Sequence, residues 1–449
     1  MALHEAFAFR TLEELEEKVN CLHLDLSFSR DFSSLFLPVK VGHLTAPNAL
    51  ACLPMEGCDS NLDGSPGELT KRRYRRIADG GYGLIWWEAC AVVSEGCANS
   101  RQLRITKENM HSFQNLLEEL KAIAEQRFEQ APLNILQLTH SGRYSHQEGV
   151  LSKKMIVQRD PFLDQGNSMG RQEVIVSDDY LESLVPLYVR AAQLAQDAGF
   201  DGVDIKACHR YLLSELLAAR ERKGRYGGDF LNRVKLLLDI VRKVRITCGE
   251  DFVVACRFNA FDAHPYPYGF GSSEDNPMIF DEEEPAKLVE LLISEGVGLL
   301  ACSAGNPYYK NPYVTRPMDR PVIGASLPDE HPLESVSRLF AITKAMQKRA
   351  DNIPIVGSGY SWLRHFWPYA GAANLASKGC GFVGLGRSVF AYPCAPQDLL
   401  NKGKLNPERC CIACSMCTQL MRDGGMAGCV VRDPKVYAPL YKECCARKR

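Results

Sequence analysis

The chain has 449 residues, 46% of them hydrophobic, with 53 Lys and Arg against 54 Asp and Glu for a net charge of -1. That apolar share is ordinary for a globular protein and accommodates one large domain with an extension, or two domains. The even charge, without a basic run or a basic stripe interleaved with aromatics, excludes nucleic acid and the membrane surface as expected partners.

The chain begins Met1-Ala-Leu-His-Glu and soon reaches an acidic stretch, Glu13 to Glu17. This is neither a secretory signal nor a transit peptide. Nowhere do apolar residues run uninterrupted for the roughly 20 positions that a spanning helix needs. A soluble, cytoplasmic protein is expected. A helical N-terminal extension is placed at 1–34, a large domain at 35–402 and a small C-terminal module at 403–449.

Short runs rich in Val, Ile and Leu then recur along the chain, most followed by a segment of helical period. The candidate strands are Ala49–Pro54, Gly83–Ala89, Leu133–Thr139, Gly202–Ala207, Phe252–Phe258, Val297–Ser303, Ile353–Gly357 and Gly381–Gly386. They are apolar on both faces, as in a parallel sheet covered by helices. Apolar residues three and four apart predict helices over Ser112–Gln126, Asp179–Ala198, Phe230–Arg245, Pro285–Glu295, Glu334–Lys348 and Leu363–Lys378. Ser177-Asp178-Asp179 and Asp229 offer N-terminal capping or acid groups, and Gly199 a stop. Eight such alternations predict an α/β fold, a (β/α)8 TIM barrel. A doubly wound sheet is disfavoured, because no Gly-x-Gly-x-x-Gly follows an early strand.

On such a barrel function sits at the C-terminal strand ends. The first strand ends Pro54-Met55-Glu56, the second Trp86-Trp87-Glu88-Ala89 and the third Gln137-Leu-Thr139-His140 with Arg143 beyond. The fourth ends Lys206-Ala-Cys208-His209-Arg-Tyr211, the fifth carries Arg257, and the sixth ends Ser303-Ala-Gly305-Asn306. An amide, cations, two histidines and a tyrosine on one rim suit an anionic or carbonyl-bearing ligand. The last two strands end Gly357-Ser358-Gly359 and Gly384-Leu385-Gly386-Arg387, turns whose bare backbone lets N–H groups approach a phosphate while Arg387 adds charge. The Trp86-Trp87 pair and the Pro- and Gly-rich loop Ala263–Met278 are candidates for shaping the pocket.

Of 18 cysteines, seven fall in the last forty residues. Earlier ones such as Cys90, Cys256 and Cys302 sit singly in apolar stretches and read as core. The cluster Cys411-x2-Cys414-x2-Cys417-x11-Cys429 points to metal in a reducing compartment. Three thiolates spaced by two, closed by a distant fourth, suit a [4Fe-4S] cluster, and a structural zinc is the competitor. Cys410 could exchange with Cys411, while Cys444 and Cys445, in a basic tail, are expected to be exposed and structural.

The segment Gly199-Phe-Asp-Gly-Val-Asp-Ile-Lys-Ala-Cys-His-Arg-Tyr-Leu-Leu, continuing to Arg225-Tyr-Gly-Gly-Asp-Phe-Leu-Asn-Arg233, resembles the old yellow enzyme (NADH:flavin oxidoreductase) family, in its branch of bacterial 2,4-dienoyl-CoA reductase. Gln137–Arg143, Pro54-Met55, Glu88-Ala89 and Gly384–Arg387 follow the same pattern in order, over roughly residues 35–435. The resemblance implies an FMN across the barrel mouth. Pro54, Met55 and Ala89 would contact its ring and Gln137 its pyrimidine edge. Arg257 would lie near N1, and Gly359, Gly386 and Arg387 would hold the phosphate. On the substrate side many relatives present two histidines, or His and Asn; here Lys206 takes the first place and His209 the second, with Tyr211 at the proton donor's position. Glu56 is a further departure, and Lys206 could instead pair with it or with Glu88. Tyr309 falls near a second acidic donor of dienoyl-CoA reductase. That enzyme also has a cysteine element holding a [4Fe-4S] cluster, with three residues rather than two between its second and third cysteines.

The expected function is an FMN-dependent ene-reductase of an α,β-unsaturated carbonyl or acyl compound, with hydride from FMN, a proton from Tyr211 and electrons relayed by the cluster. Longer relatives continue into FAD and nicotinamide domains, and no dinucleotide fingerprint follows here. A separate donor is therefore expected: a ferredoxin, a flavodoxin or an FAD-containing reductase, with NAD(P)H itself as the alternative. Two other readings compete: a flavin/iron–sulfur amine dehydrogenase (demethylase), and an electron-transfer or redox-sensing flavoprotein.

Overall fold

The computed structural model describes residues 4–146, 154–164, 173–309 and 316–446. Eight parallel strands close into a barrel: β1 Leu50–Cys52, β2 Leu84–Ala91, β3 Leu133–Thr139, β4 Gly202–Ile205, β5 Val253–Phe261, β6 Leu299–Ala304, β7 Ile355–Gly357 and β8 Phe382–Leu385. Neighbours in the ring are neighbours in sequence, and β8 closes on β1 through Val383 opposite Leu50. All eight strands predicted from the apolar runs are present, with ends shifted by up to three residues.

The strands are buried on both faces because each separates two cores. One set of side chains, including Ala51, Leu84, Trp86, Leu133, Ile135, Val253, Leu299 and Val356, fills the bore. Val41 and Ala46 join that set from an antiparallel pair, Val39–Val41 with Leu44–Ala46, which plugs the end where the strands begin. The alternate side chains face the helices. Trp86 and Trp87 therefore part company, as successive strand residues must. Trp86 lies in the bore, and Trp87 stacks on Tyr74 at 4.1 Å between centroids.

The predicted helices appear as Met110–Phe128, Asp178–Asp197, Phe230–Cys248, Glu283–Ser294, Pro332–Ala350 and Trp367–Ala376, the last preceded by a 3-10 stretch, Tyr360–Phe366. The Ser177 side chain caps its helix by accepting from the Tyr180 N–H at 3.1 Å. Asp229 stands as an acid at the N-cap position of its helix without a side-chain capping bond. Gly199 adopts φ +89, the left-handed stop. In the N-terminal segment, helix Leu12–Cys21 starts with a reciprocal capping box between Thr11 and Glu14.

Helix Glu68–Ala78, between β1 and β2, escapes the periodicity argument because its buried stripe includes a charge. Arg73 is buried and forks onto Asp59 at 2.6 and 3.0 Å while also donating to Glu88. Burial holds the Glu88 carboxyl up at about 7 despite Arg73, since one guanidinium serves two carboxylates.

The C-terminal segment lies across one side of the barrel mouth. Its helix Met416–Arg422 and its last helix, Pro434–Ala446, pack around Leu420, Val430, Tyr437 and Cys444. Cys444 is buried there and Cys445 half-buried, correcting the expectation that both are exposed. Asp433 accepts from Arg72 at 2.6 Å and Arg76 at 2.7 Å, fastening the segment to the first barrel helix. The Ala427 N–H donates to the Gly57 carbonyl at 2.7 Å, at the end of β1.

Candidate active site

Opposite the plugged end, the strand termini enclose a pocket of about 1190 Å³ of empty space, part of it open to solvent. Ten sequence-selected residues line it: Pro54, Met55, Gln137, Lys206, His209, Tyr211, Arg257, Gly359, Gly386 and Arg387. Ala89 does not. The register of β2 shifts between Trp87 and Cys90, and this bulge leaves Ala89 fully buried, its carbonyl accepting from Gln102 at 3.2 Å. His140 is also withdrawn from the rim, buried against Tyr180 with its Nε2 2.9 Å from the tyrosine oxygen. Neither tryptophan of β2 and no residue of Ala263–Met278 lines the pocket, correcting those two candidates.

Gln137 and Arg257 owe their places to one buried carboxylate. Asp204 of β4 accepts from Gln137 Nε2 at 2.6 Å, Trp86 Nε1 at 2.9 Å and the Arg257 N–H at 2.7 Å. The Arg257 side chain is turned by a 2.9 Å bond from its Nε to Ser303 Oγ. Burial lifts Asp204 to about 6, against the pull of these donors. In Asp204→Asn an amide N–H must face a donor. The substitution should destabilise the fold by about 1–3 kcal/mol, read as a shifted denaturant midpoint at unchanged slope.

The substrate-side residues sit on a constrained turn after β4. His209 and Arg210 are consecutive left-handed residues with φ 63 and 58, a conformation disfavoured for side chains with a Cβ. Arg210 holds the turn from below, fully buried, donating to Asp160 at 3.2 Å and Asp262 at 3.0 Å. Above it, Lys206 Nζ lies 3.2 Å from Glu56 Oε1 and 3.7 Å from the centre of the Tyr211 ring. The Tyr211 hydroxyl donates to Glu56 Oε1 at 3.1 Å and lies 3.3 Å from the Tyr308 hydroxyl. Lys206 thus pairs with Glu56, not Glu88. Tyr308, stacked on Tyr144 at 3.7 Å, occupies the pocket position expected of Tyr309, which packs against His264 instead.

Burial, Glu56 and Tyr308 push the Tyr211 phenol well above its ordinary range, so it keeps its proton. Burial and the nearby Arg257, Lys206 and Arg316 push the His209 imidazole well down, so it is neutral. The site therefore offers two neutral donors, an ammonium and a carboxylate around one space.

At the ends of β7 and β8 the backbone is bare where side chains would collide. A Cβ on Gly384 would lie 2.3 Å from the Gly357 carbonyl, and Gly359 has φ +107. Arg387 donates one Nη to the Pro317 carbonyl at 2.7 Å, and its other Nη is buried without a partner among the described residues. Bare turns and an orphaned guanidinium fit the phosphate of FMN.

Arg387 also lines a second cavity, of about 350 Å³ of empty space, with Cys411, Cys414, Cys417 and Cys429 around it. Cys410 is not among its lining residues; its thiol donates to the Asn406 carbonyl. Four thiols round one cavity fit a polynuclear cluster, one thiolate to each iron. Residues that sequence reasoning missed come from this side: Arg316, Thr418, Met421 and Arg422 all line the main pocket. No helix among the described residues is long and apolar enough to cross a membrane.

Comparison with known proteins agrees with this geometry. The model of the NADH:flavin oxidoreductase / NADH oxidase family matches residues 34–284, more than half of the chain. An NADH oxidase of Thermoanaerobacter brockii is 27% identical over 390 residues, covering 86% of this chain and 53% of its own. A cinnamate reductase of Clostridium sporogenes is 24% identical over 418 residues, 89% of this chain and 57% of its own. The chain thus spans little more than half the length of these two relatives. Among solved structures, a 2-naphthoyl-CoA reductase complex superposes with a TM-score of 0.73 at 17% identity, over 91% of this chain and 58% of that one.

Proposed function

From the premise that the chain belongs to the NADH:flavin oxidoreductase / NADH oxidase family, we propose that it is an FMN-dependent ene-reductase acting on the activated C=C bond of an α,β-unsaturated carbonyl or acyl compound. One observation carries this reading: a protonated phenol, Tyr211, stands beside Lys206 and His209 on one wall of the pocket that Gln137 and Arg257 also line. FMN, when bound, would supply the hydride, and a [4Fe-4S] cluster on Cys411, Cys414, Cys417 and Cys429 would supply its electrons singly from a ferredoxin, flavodoxin or FAD-containing reductase.

The protein's own part is electrostatic and positional. Pro54 and Met55 would flank the ring, Gln137 would bond its pyrimidine edge, and Arg257 would face the place where negative charge develops on reduction. Gly359, Gly386 and Arg387 would hold the phosphate. Lys206 and His209 would donate to the substrate's carbonyl oxygen as it becomes an enolate oxygen, a contribution that grows toward the transition state. Tyr211 would give its proton to the α-carbon. Glu56, holding both Tyr211 and Lys206, orients the two donors.

The demethylase reading fares worse electrostatically. Among the described residues, Lys206, Arg257, Arg316 and Arg422 face the pocket against the carboxylate of Glu56, beyond the Arg387 assigned to the phosphate, a field that repels a cationic amine.

The test is anaerobic turnover in D2O with a chemically reduced enzyme and a panel of enones and unsaturated acids. Solvent deuterium at both the α-carbon and the β-carbon is the expected product, because the hydride hydrogen of a chemically reduced flavin itself comes from solvent. Failure of every acceptor to reoxidise an FMN-loaded, reduced enzyme would sink the proposal.

A further inference from the structure

Outside the pocket, the fully or nearly buried arginines find carboxylates. Arg73 has Asp59 and Glu88, Arg143 has Glu215 and Asp164, Arg210 has Asp160 and Asp262, Arg222 has Asp178, and Arg233 has Glu284. This is the usual condition for a guanidinium removed from water. Among the arginines that line the pocket, buried Arg257 and Arg387 and half-buried Arg316 break the pattern, while Arg422 is exposed; among the described residues none of the four has a carboxylate within ion-pair distance. On the proposed reading Arg257 and Arg387 would face the two charged parts of FMN, the reducible ring and the phosphate. Arg316 and Arg422 remain.

These two belong to the outer side of the pocket, where Tyr308 stands. The Arg422 guanidinium donates to the Pro307 carbonyl at 2.7 Å, beside Tyr308. Arg316 Nε is buried with no hydrogen-bond partner among the described residues. An anion between Arg316 and Arg422 would satisfy the orphaned donor, with the forked geometry that guanidinium groups offer a carboxylate.

We propose that Arg316 and Arg422 form an anion subsite at the pocket mouth, and that the substrate carries a carboxylate remote from the carbonyl held by Lys206 and His209. The assignment of which end reacts rests on the ene-reductase reading; the subsite itself does not. It selects an unsaturated carbonyl compound with an acidic tail over its neutral counterpart. Rim-exposed Arg422 would steer the anion inward, and Arg316 would receive it in a drier place where a charge-assisted bond is worth more.

The experiment uses FMN-loaded protein and two probes sharing one enone, 4-carboxybenzylideneacetone and its methyl ester, titrated anaerobically through the flavin absorbance and then offered to the reduced enzyme. The acid should bind at least about tenfold more tightly than the ester, with an affinity that falls with salt. Arg422→Gln and Arg316→Gln should each erase that preference by weakening the acid while leaving the ester within about twofold. Arg316→Lys should restore part of it, which separates recognition from folding. Equal binding of acid and ester overturns the subsite, and so does a preference that survives both glutamine variants. Loss of FMN from Arg316→Gln with the preference kept in Arg422→Gln would assign Arg316 to the cofactor phosphate and overturn it as well. Tight, arginine-dependent binding of the acid without reduction of either probe would uphold the subsite and refute the ene-reductase reading.

Discussion

Tyr211→Phe should slow the reoxidation of reduced enzyme by an enone by about 10²–10⁴-fold, the usual worth of a positioned general acid. The substitution removes one oxygen and keeps the ring on which the Lys206 ammonium rests at 3.7 Å, so binding of the acceptor should change little. Stopped-flow traces would separate the steps: reduction of the flavin by its donor stays within a few-fold, and only the acceptor half-reaction falls. The pH profile of that half-reaction in the native protein should be flat between about pH 6 and 9. Tyr211 is raised well above that window and stays protonated, while His209 is lowered well beneath it and stays neutral. A loss of less than about threefold would transfer the proton-donor role elsewhere. Tyr308, 3.3 Å from Tyr211, would be the next residue to change.

Cys417→Ser should remove the metal altogether. Native protein is expected to hold about four iron and four acid-labile sulfide per chain, with a broad absorbance shoulder near roughly 400 nm under the flavin bands. The variant should fall to near zero iron, because a hydroxyl replaces one of the four thiols around the cavity. Burial pushes Cys411 up to about 11, with Arg387 pulling the other way, so this thiol is a poor thiolate until a metal takes the proton's place. Cys410→Ser is the matched control. That thiol neighbours Cys411 in sequence but is occupied by the Asn406 carbonyl, and its loss should leave the iron count unchanged. Zinc without sulfide in the native protein would reduce the segment to a structural clasp.

Much of this molecule is legible in one sequence because the barrel is built from the strongest local signal available, apolar runs buried on both faces. The strand ends then nominate the pocket, and ten of the eleven residues chosen for flavin and substrate line it. The exceptions have physical reasons. Ala89 sits on a bulge, which changes facing without changing composition. Helix Glu68–Ala78 hides because Arg73, a charge by type, is a core residue by virtue of Asp59 and Glu88. Tyr308 and Tyr309 differ by one position on an irregular loop, where no periodicity says which side chain turns inward. Arg316 and Arg422 lie over a hundred residues apart from one another in sequence, and only tertiary structure gives them a common space. Cys444 looks like a tail residue until Leu420, Val430 and Tyr437 close over it.

The stretch from Pro307 to Ile323 carries Tyr308 and Arg316, and several of its described bonds run to the C-terminal segment. Arg422 holds the Pro307 carbonyl, the Asp319 N–H donates to Ala413 and the Ile323 N–H to Gln419, while Asp319 also accepts from Trp362 and Arg364 and the Pro317 carbonyl from Arg387 on the barrel side. The proposed flavin cradle, by contrast, is made of barrel strand ends. Damage to the cysteine segment in air should therefore follow an order, with recognition failing before the colour is lost. Preparations that are still yellow but have shed their iron would look intact in a flavin assay while no longer telling one acceptor from another.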